Sequence, residues 1–263
     1  MKINREYFRE IWKYRELFYF FVWRDVKVRY KQTVLGALWA VVQPFFTMIV
    51  FTLFFGKIVN IPSDGIPYPV FSYAALVPWT YFSVALSSSG NSLLGNSHLL
   101  NKVYFPRVVI PASSAIVGLI DFAIASVILI GLLLYYDMPL SWGLLAWPLL
   151  AVPLLTLALG IGLILASLSV KYRDIKYVIP FGIQLLLFAT PVIYPSSLIP
   201  ERYRIIFLLN PLSGIIDAFR SVVLPSRNFP LESFLTSLGA TIVIFAVGFV
   251  YFRKTERFFA DII

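Results

Sequence analysis

Polar residues in this chain gather into short clusters that separate long apolar runs, and the runs are of a length that suits a bilayer. An α-helix rises about 1.5 Å per residue, so about 20 residues cross the hydrocarbon layer. The runs from about Val34 to Phe55, Tyr68 to Ser87, Val109 to Tyr136, Trp142 to Val170, Tyr177 to Tyr194 and Phe234 to Phe252 predict six transmembrane helices in an all-α integral membrane protein.

Ahead of the first run the pattern changes. Residues 5–25 place Arg9, Lys13 and Glu16 along one helical side, with Phe8, Ile11, Trp12, Phe18 and Val22 largely on the other. This is the profile of an amphipathic helix lying at a membrane interface, its rings at headgroup depth and its cations toward anionic lipid. A surface helix docked on a soluble partner fits the same periodicity. The chain therefore divides into an N-terminal cytoplasmic segment, 1–33, and a transmembrane domain, 34–263, ending in a cytoplasmic tail.

One stretch breaks the pattern. Residues 205–224 are long enough to span but contain Asn210, Pro211, Asp217 and Arg220, which lipid penalises. Asn210 can cap a new helix with Pro211 in its first position, splitting the stretch in two. The expectation is two short external, re-entrant-type helices at about 198–224, dipping into the outer interface, rather than a seventh span.

Charge orients the bundle. Of the 22 Lys and Arg residues, 17 fall in 1–33, 91–108, 171–176 and 253–257, against 5 elsewhere, so by the positive-inside tendency both termini are cytoplasmic. A seventh span would send Arg253, Lys254 and Arg257 outside. With 59% hydrophobic and 13% charged residues, the net charge of +9 reflects orientation and anionic lipid rather than a nucleic-acid face. The basic N-terminus has no short apolar core with a small-residue cleavage site, so no removable signal peptide is expected.

Little here suggests catalysis. There is no cysteine, a single histidine (His98), no P-loop and no H-E-x-x-H, so no thiolate, imidazole-cluster or P-loop chemistry is expected and no metal is implied. A membrane-embedded polymerase or glycosyltransferase would need an acidic cluster at one face, and none is evident. Asp121, inside the third run, must face protein, water or a partner. It could relay protons in a secondary carrier or satisfy polar groups between packed helices. The aromatic residues of the first two runs, among them Trp39, Phe45, Phe46 and Tyr81, could face lipid or line a path for sugars. Prolines and glycines such as Pro44, Gly160 and Pro180 allow kinks and close helix approach.

The segment RYKQTVLGALWAVVQP, 29–44, through Arg29, Tyr30, Leu35, Gly36, Trp39 and Pro44, resembles the first-span signature of the membrane subunits of type-2 ABC exporters, in the subgroup that exports polysaccharides. NKVYFPRVVIP at 101–111, KYRDIKYVIPFGIQLLLFATPVIYP at 171–195, NPLSGIIDAFR at 210–220 and FRKTERFFADII at 252–263 continue the likeness in order. The chain is similar to the O-antigen export permeases of that family.

The resemblance implies a homodimer of six-span subunits in the inner membrane, joined to two copies of a separate cytoplasmic ATPase, with the polymer passing through a channel at the dimer centre. ATP and Mg would then sit on the ATPase, and this chain would bind no cofactor. The segments from about Leu93 to Pro106, with Leu93, His98, Leu99, Asn101 and Lys102, and from Lys171 to Lys176, with Lys171, Arg173 and Asp174, would be its coupling elements. The implied substrate is a glycan on a polyprenyl pyrophosphate. Arg24, Arg29 and Lys31 are candidates for the pyrophosphate, although membrane orientation alone accounts for basic residues there. Trp39, Phe45, Phe46 and Tyr81 are candidates for the sugar path. A small amphiphile is the nearest alternative substrate.

Overall fold

The computed structural model describes residues 5–31, 33, 36–100, 105–203, 207–223 and 228–259, and every described element is helical. Among the described residues, nine helices of nine residues or more carry the fold: α1 (Arg5–Lys13), α2 (Arg15–Lys31), α3 (Gly36–Ile58), α4 (Tyr68–Gly95), α5 (Val109–Tyr135), α6 (Trp147–Lys171), α7 (Ile175–Ala189), α8 (Pro211–Val223) and α9 (Leu231–Thr255). Among the described residues, five helices are long and apolar enough to cross a membrane: α3, α4, α5, α6 extended back to Trp142, and α9 extended to Phe258. The expected start of the first span at Val34 and the tail after Phe259 lie outside the described residues.

α4 is the hub. Its small residues, Ser72, Ala74, Ala75, Ala85, Ser89 and Gly90, let neighbours approach closely, and α5 and α6 both pack along it. Pro67 and Pro69 start the helix, where a missing N–H costs nothing, and it runs on to Gly95, well past the expected end at Ser87. α9 lies along α6 at a glycine contact: a Cβ on Gly248 would fall 2.2 Å from the Gly160 carbonyl oxygen. α3 leans on α4 and α5. It opens at Gly36 with φ of +50°, passes through Pro44, and widens into a π-helical turn over Thr52–Ile58.

The fifth run yields a helix of 15 residues rather than one reaching Tyr194. Pro191 cannot continue it, and Thr190 before the proline is extended, as a residue preceding proline tends to be. The chain then turns inward, burying Thr190, Val192 and Ile193.

The break at Asn210 is present. Its Oδ1 accepts the Leu212 N–H at 3.1 Å, and α8 begins at Pro211. α8 does not lie on a surface, however. It is buried almost all round, wedged between α4, α6 and α9. Its Arg220 is fully buried, donating to the carbonyls of Pro191, Val192 (2.7 Å), Tyr194 (3.3 Å) and Phe71 (3.4 Å), with its guanidinium 3.8 Å over the Phe71 ring. The inward turn after α7 supplies three of those carbonyls, so a cation that lipid would reject is satisfied by protein. The expected helix before α8 is represented by 3₁₀ turns at Ser196–Leu198 and Glu201–Tyr203, with 204–206 and 224 outside the described residues.

Two apolar cores result. The larger joins α4, α5, α6 and α8. The second, at the end of the bundle that carries both termini, gathers Tyr7, Phe21, Leu93, Phe105, Leu163, Val170, Phe252 and Phe259 from segments far apart in sequence.

Candidate substrate and coupling sites

The N-terminal segment is two helices that meet at Tyr14, and their inward face is Tyr7, Ile11, Tyr14, Phe18 and Phe21, packed on the second core. That spacing of four and three residues is a helical stripe. Trp12, 70% exposed, lies off this stripe, as do Tyr19 and Trp23, so the rings of the segment divide between the protein core and the outer surface. Nothing is described of the Phe8 side chain.

α2 then crosses α5. Arg29 Nη2 stands 2.8 Å from Asp121 Oδ2, and the Tyr30 hydroxyl donates to Asp121 Oδ1. Both carboxylate oxygens are thus engaged by the N-terminal helix, which is how an acid inside a span is accommodated. Burial first, and then the hydrogen bond and charge of Asp121, raise the Tyr30 phenol above its ordinary range.

Beside this cluster is a cavity of about 200 Å³ whose lining includes Arg29, Tyr30, Trp39, Gln43, Tyr81 and Asp121. Two of the expected path residues, Trp39 and Tyr81, meet here. Trp39 is 56% exposed, whereas Tyr81 is buried and donates weakly to the Ala115 carbonyl at 3.5 Å. Phe45 and Phe46 do not line it. They stack edge to face lower on α3, Phe45 half-buried and Phe46 exposed.

The basic trio is divided. Arg24 and Lys31 line a second recess of about 400 Å³ on α2 with Phe20, Trp23, Lys27 and Val28. Arg24 is steadied by Asp25, by Asn96 Oδ1 at 2.8 Å and by the Phe21 ring at 4.8 Å. Arg29 faces the other way, to Asp121. Lys27, whose ammonium sits 4.9 Å over Trp23, was missed from the sequence, although the spacing 24, 27, 31 marks one helical face.

Of the expected coupling residues, Leu93 is fully buried in the second core and presents no surface to a partner. His98 is exposed in the short helix Ser97–Leu100, Leu99 is half-buried against that core, and Asn101 and Lys102 lie outside the described residues. Lys171, Arg173 and Asp174 are all exposed at the connection between α6 and α7.

Both segments and both cavities fall within or beside a stretch with known relatives. The ABC-2 type transporter family matches residues 16–224. Over 243 residues the chain is 31% identical to the O-antigen export system permease protein RfbA of Klebsiella pneumoniae, covering 91% of this chain and 92% of that one. It is 28% identical over 257 residues to the protein of the same name from Myxococcus xanthus, covering 96% and 97%. It is 26% identical over 244 residues to the polysialic acid transport protein KpsM of Escherichia coli, covering 89% and 91%. A family match over most of the length, on a bundle of helices built to cross a bilayer several times, makes this multi-pass membrane protein a member of the ABC-2 type transporter family.

Proposed function

We propose that the chain is the permease subunit of an ATP-driven exporter that moves a lipid-linked, O-antigen-like polysaccharide out across the inner membrane. The observation that carries this reading is the likeness, along nearly the whole of both chains, to relatives named as O-antigen export permeases. The recess on α2 adds chemistry that suits such a substrate. Arg24, Lys27 and Lys31 offer cations to a pyrophosphate while Phe20, Trp23 and Val28 offer apolar surface to a polyprenyl chain.

In this reading two copies join around a central channel and α7 provides the sixth crossing together with the buried turn that follows it. Both termini are cytoplasmic, and two copies of a separate ATPase bind at the terminal end of the bundle, at the segment around His98 and Leu99 and at Lys171, Arg173 and Asp174. ATP and Mg belong to those subunits. ATP drives export only by favouring one arrangement of the assembly over another. Asp121, engaged by Arg29 and Tyr30, serves as a pairing group between helices rather than as a proton relay.

The test is reconstitution of the chain with its candidate ATPase in proteoliposomes. Polyprenyl-pyrophosphate-linked glycan is expected to stimulate ATP hydrolysis and to cross the membrane. Stimulation by small amphiphiles but by no glycan lipid would replace the substrate, and transport that follows a proton gradient without ATP would overturn the reading.

A further inference from the structure

The terminal end of the bundle contains a polar clamp with Glu256 at its centre. Glu256 begins the 3₁₀ turn that follows α9. Its Oε1 accepts the Arg107 backbone N–H at 2.8 Å, its backbone carbonyl accepts Arg107 Nη1 at 2.6 Å, and its Oε2 pairs with Arg253 Nη1 at 2.7 Å. The Arg253 guanidinium in turn lies 3.4 Å from the centre of the Tyr7 ring on α1. Segments near residues 7, 107 and 256 therefore meet around the Arg253–Glu256 pair, whose side chains are only 15% and 13% exposed.

Charge-assisted hydrogen bonds of this kind are about twice as strong as neutral ones, and the one carboxylate here takes both the Arg253 guanidinium and the Arg107 backbone N–H. Arg107 is held through both its backbone and its side chain, which fixes the chain direction as well as one side-chain contact. Beneath the clamp, Phe105 packs against Phe21, and Phe259 packs edge to face on Phe252. Arg107 is also the point where the segment following α4 ends and α5 is about to begin. By contrast, Lys171, Arg173 and Asp174 at the other exposed connection are open to solvent.

We propose that Glu256 is a positioning residue for energy coupling: it fastens the exit of the 93–106 segment to the last membrane helix and, through Arg253, to the N-terminal helix. The three then move as one body when the ATPase acts on that segment. This rests on the reading that the segment meets an ATPase. Motion imposed there reaches α9 directly, and reaches α6 through the contact of Gly248 on Gly160. The clamp stays closed throughout the cycle, because its purpose is transmission rather than release.

The experiment uses the chain co-purified with its candidate ATPase and measures glycan exported per ATP hydrolysed. Glu256→Ala is expected to assemble and hydrolyse ATP at no less than half the normal rate while export per ATP falls at least tenfold. Glu256→Gln, which keeps an acceptor for the Arg107 N–H but loses the charge, should fall severalfold. Because the sequence has no cysteine, a short bis-maleimide applied before a cysteine-free ATPase is added joins Arg107→Cys to Glu256→Cys, and this linked double variant should recover most of the lost coupling. An unchanged export-to-ATP ratio in Glu256→Ala overturns the proposal, as does a linked variant that assembles yet stays uncoupled. A parallel loss of hydrolysis, export and folded protein would reduce the clamp to a fold-stabilising contact. Failure of the ATPase to associate with the unaltered chain would instead overturn the functional reading on which the clamp depends.

Discussion

Replacing Asp121 with asparagine removes the charge that attaches the N-terminal helix to the third span while leaving the shape of the site almost unchanged. Asparagine still offers an acceptor to Tyr30 but no anion to Arg29. The Arg29 and Asp121 side chains are 33% and 17% exposed. That lies between a surface pair, worth at most about 1 kcal/mol, and a buried pair, whose rupture costs about 3–5 kcal/mol. A loss of about 2 kcal/mol is expected, which is about a 30-fold rise in the population with the end of α2 lifted from α5. Amide hydrogen exchange in lipid nanodiscs reads that population when reclosing outpaces exchange. Amides of residues 24–31 should exchange about 30-fold faster, while those of α4 keep their rate. Arg29→Gln should be worse than Asp121→Asn, because it leaves an unmatched carboxylate inside a span. The double variant should recover part of that difference, with a coupling energy of about 1–3 kcal/mol. Unchanged exchange in α2, or equal acceleration in α4, would refute the attachment and leave the ion pair as a bystander.

Three further outcomes are expected. Arg220→Met strands buried carbonyls at Pro191, Val192 and Tyr194, so it should cost about 3 kcal/mol or more and lower the thermal midpoint in detergent; an unchanged midpoint would show that water replaces the guanidinium. Gly248→Ala drives a methyl against the Gly160 carbonyl and should destabilise by about 1–3 kcal/mol, whereas Gly239→Ala on the same helix, with nothing within 4 Å of its Cβ, should be neutral in the same melting assay. Lys27→Ala combined with Lys31→Ala should weaken binding of a short-chain polyprenyl pyrophosphate to the detergent-solubilised chain by about 30-fold, at about 1 kcal/mol per cation; an equal loss for an ordinary anionic lipid would mean that the recess reads charge alone.

Run length and punctuation carried most of the fold. The apolar stretches placed α3, α4, α5, α6 and α9, and Asn210–Pro211 marked the start of α8, because each of those signals is local. What escaped were facts decided by distant partners. The penalty for Arg220 in lipid was legible, but not that a turn near residue 192 would supply its carbonyls, nor that α8 would be enclosed by α4, α6 and α9. The facing of the N-terminal helix also escaped: lipid, like a protein core, accepts apolar side chains, so Trp12 and Ile11 look alike in sequence although only Ile11 packs inward. The candidate site was legible residue by residue and not as an arrangement. Arg29 and Asp121 were each singled out, yet their pairing across 91 intervening positions had no local sign, and Arg29 was grouped with Arg24 and Lys31, from which the helix turns it away.

The spanning helices differ sharply in how much of themselves they bury: 78% of the apolar window of α4, but only 11% for the first span and 17% for the last. Burial of that kind insulates a helix from its solvent. α4 therefore keeps its tilt whatever the acyl chains around it, while α3 and α9 are solvated by whatever surrounds the subunit and must adjust when the hydrocarbon thickens or thins. A change in lipid chain length should therefore act first on the outer helices and spare the hub.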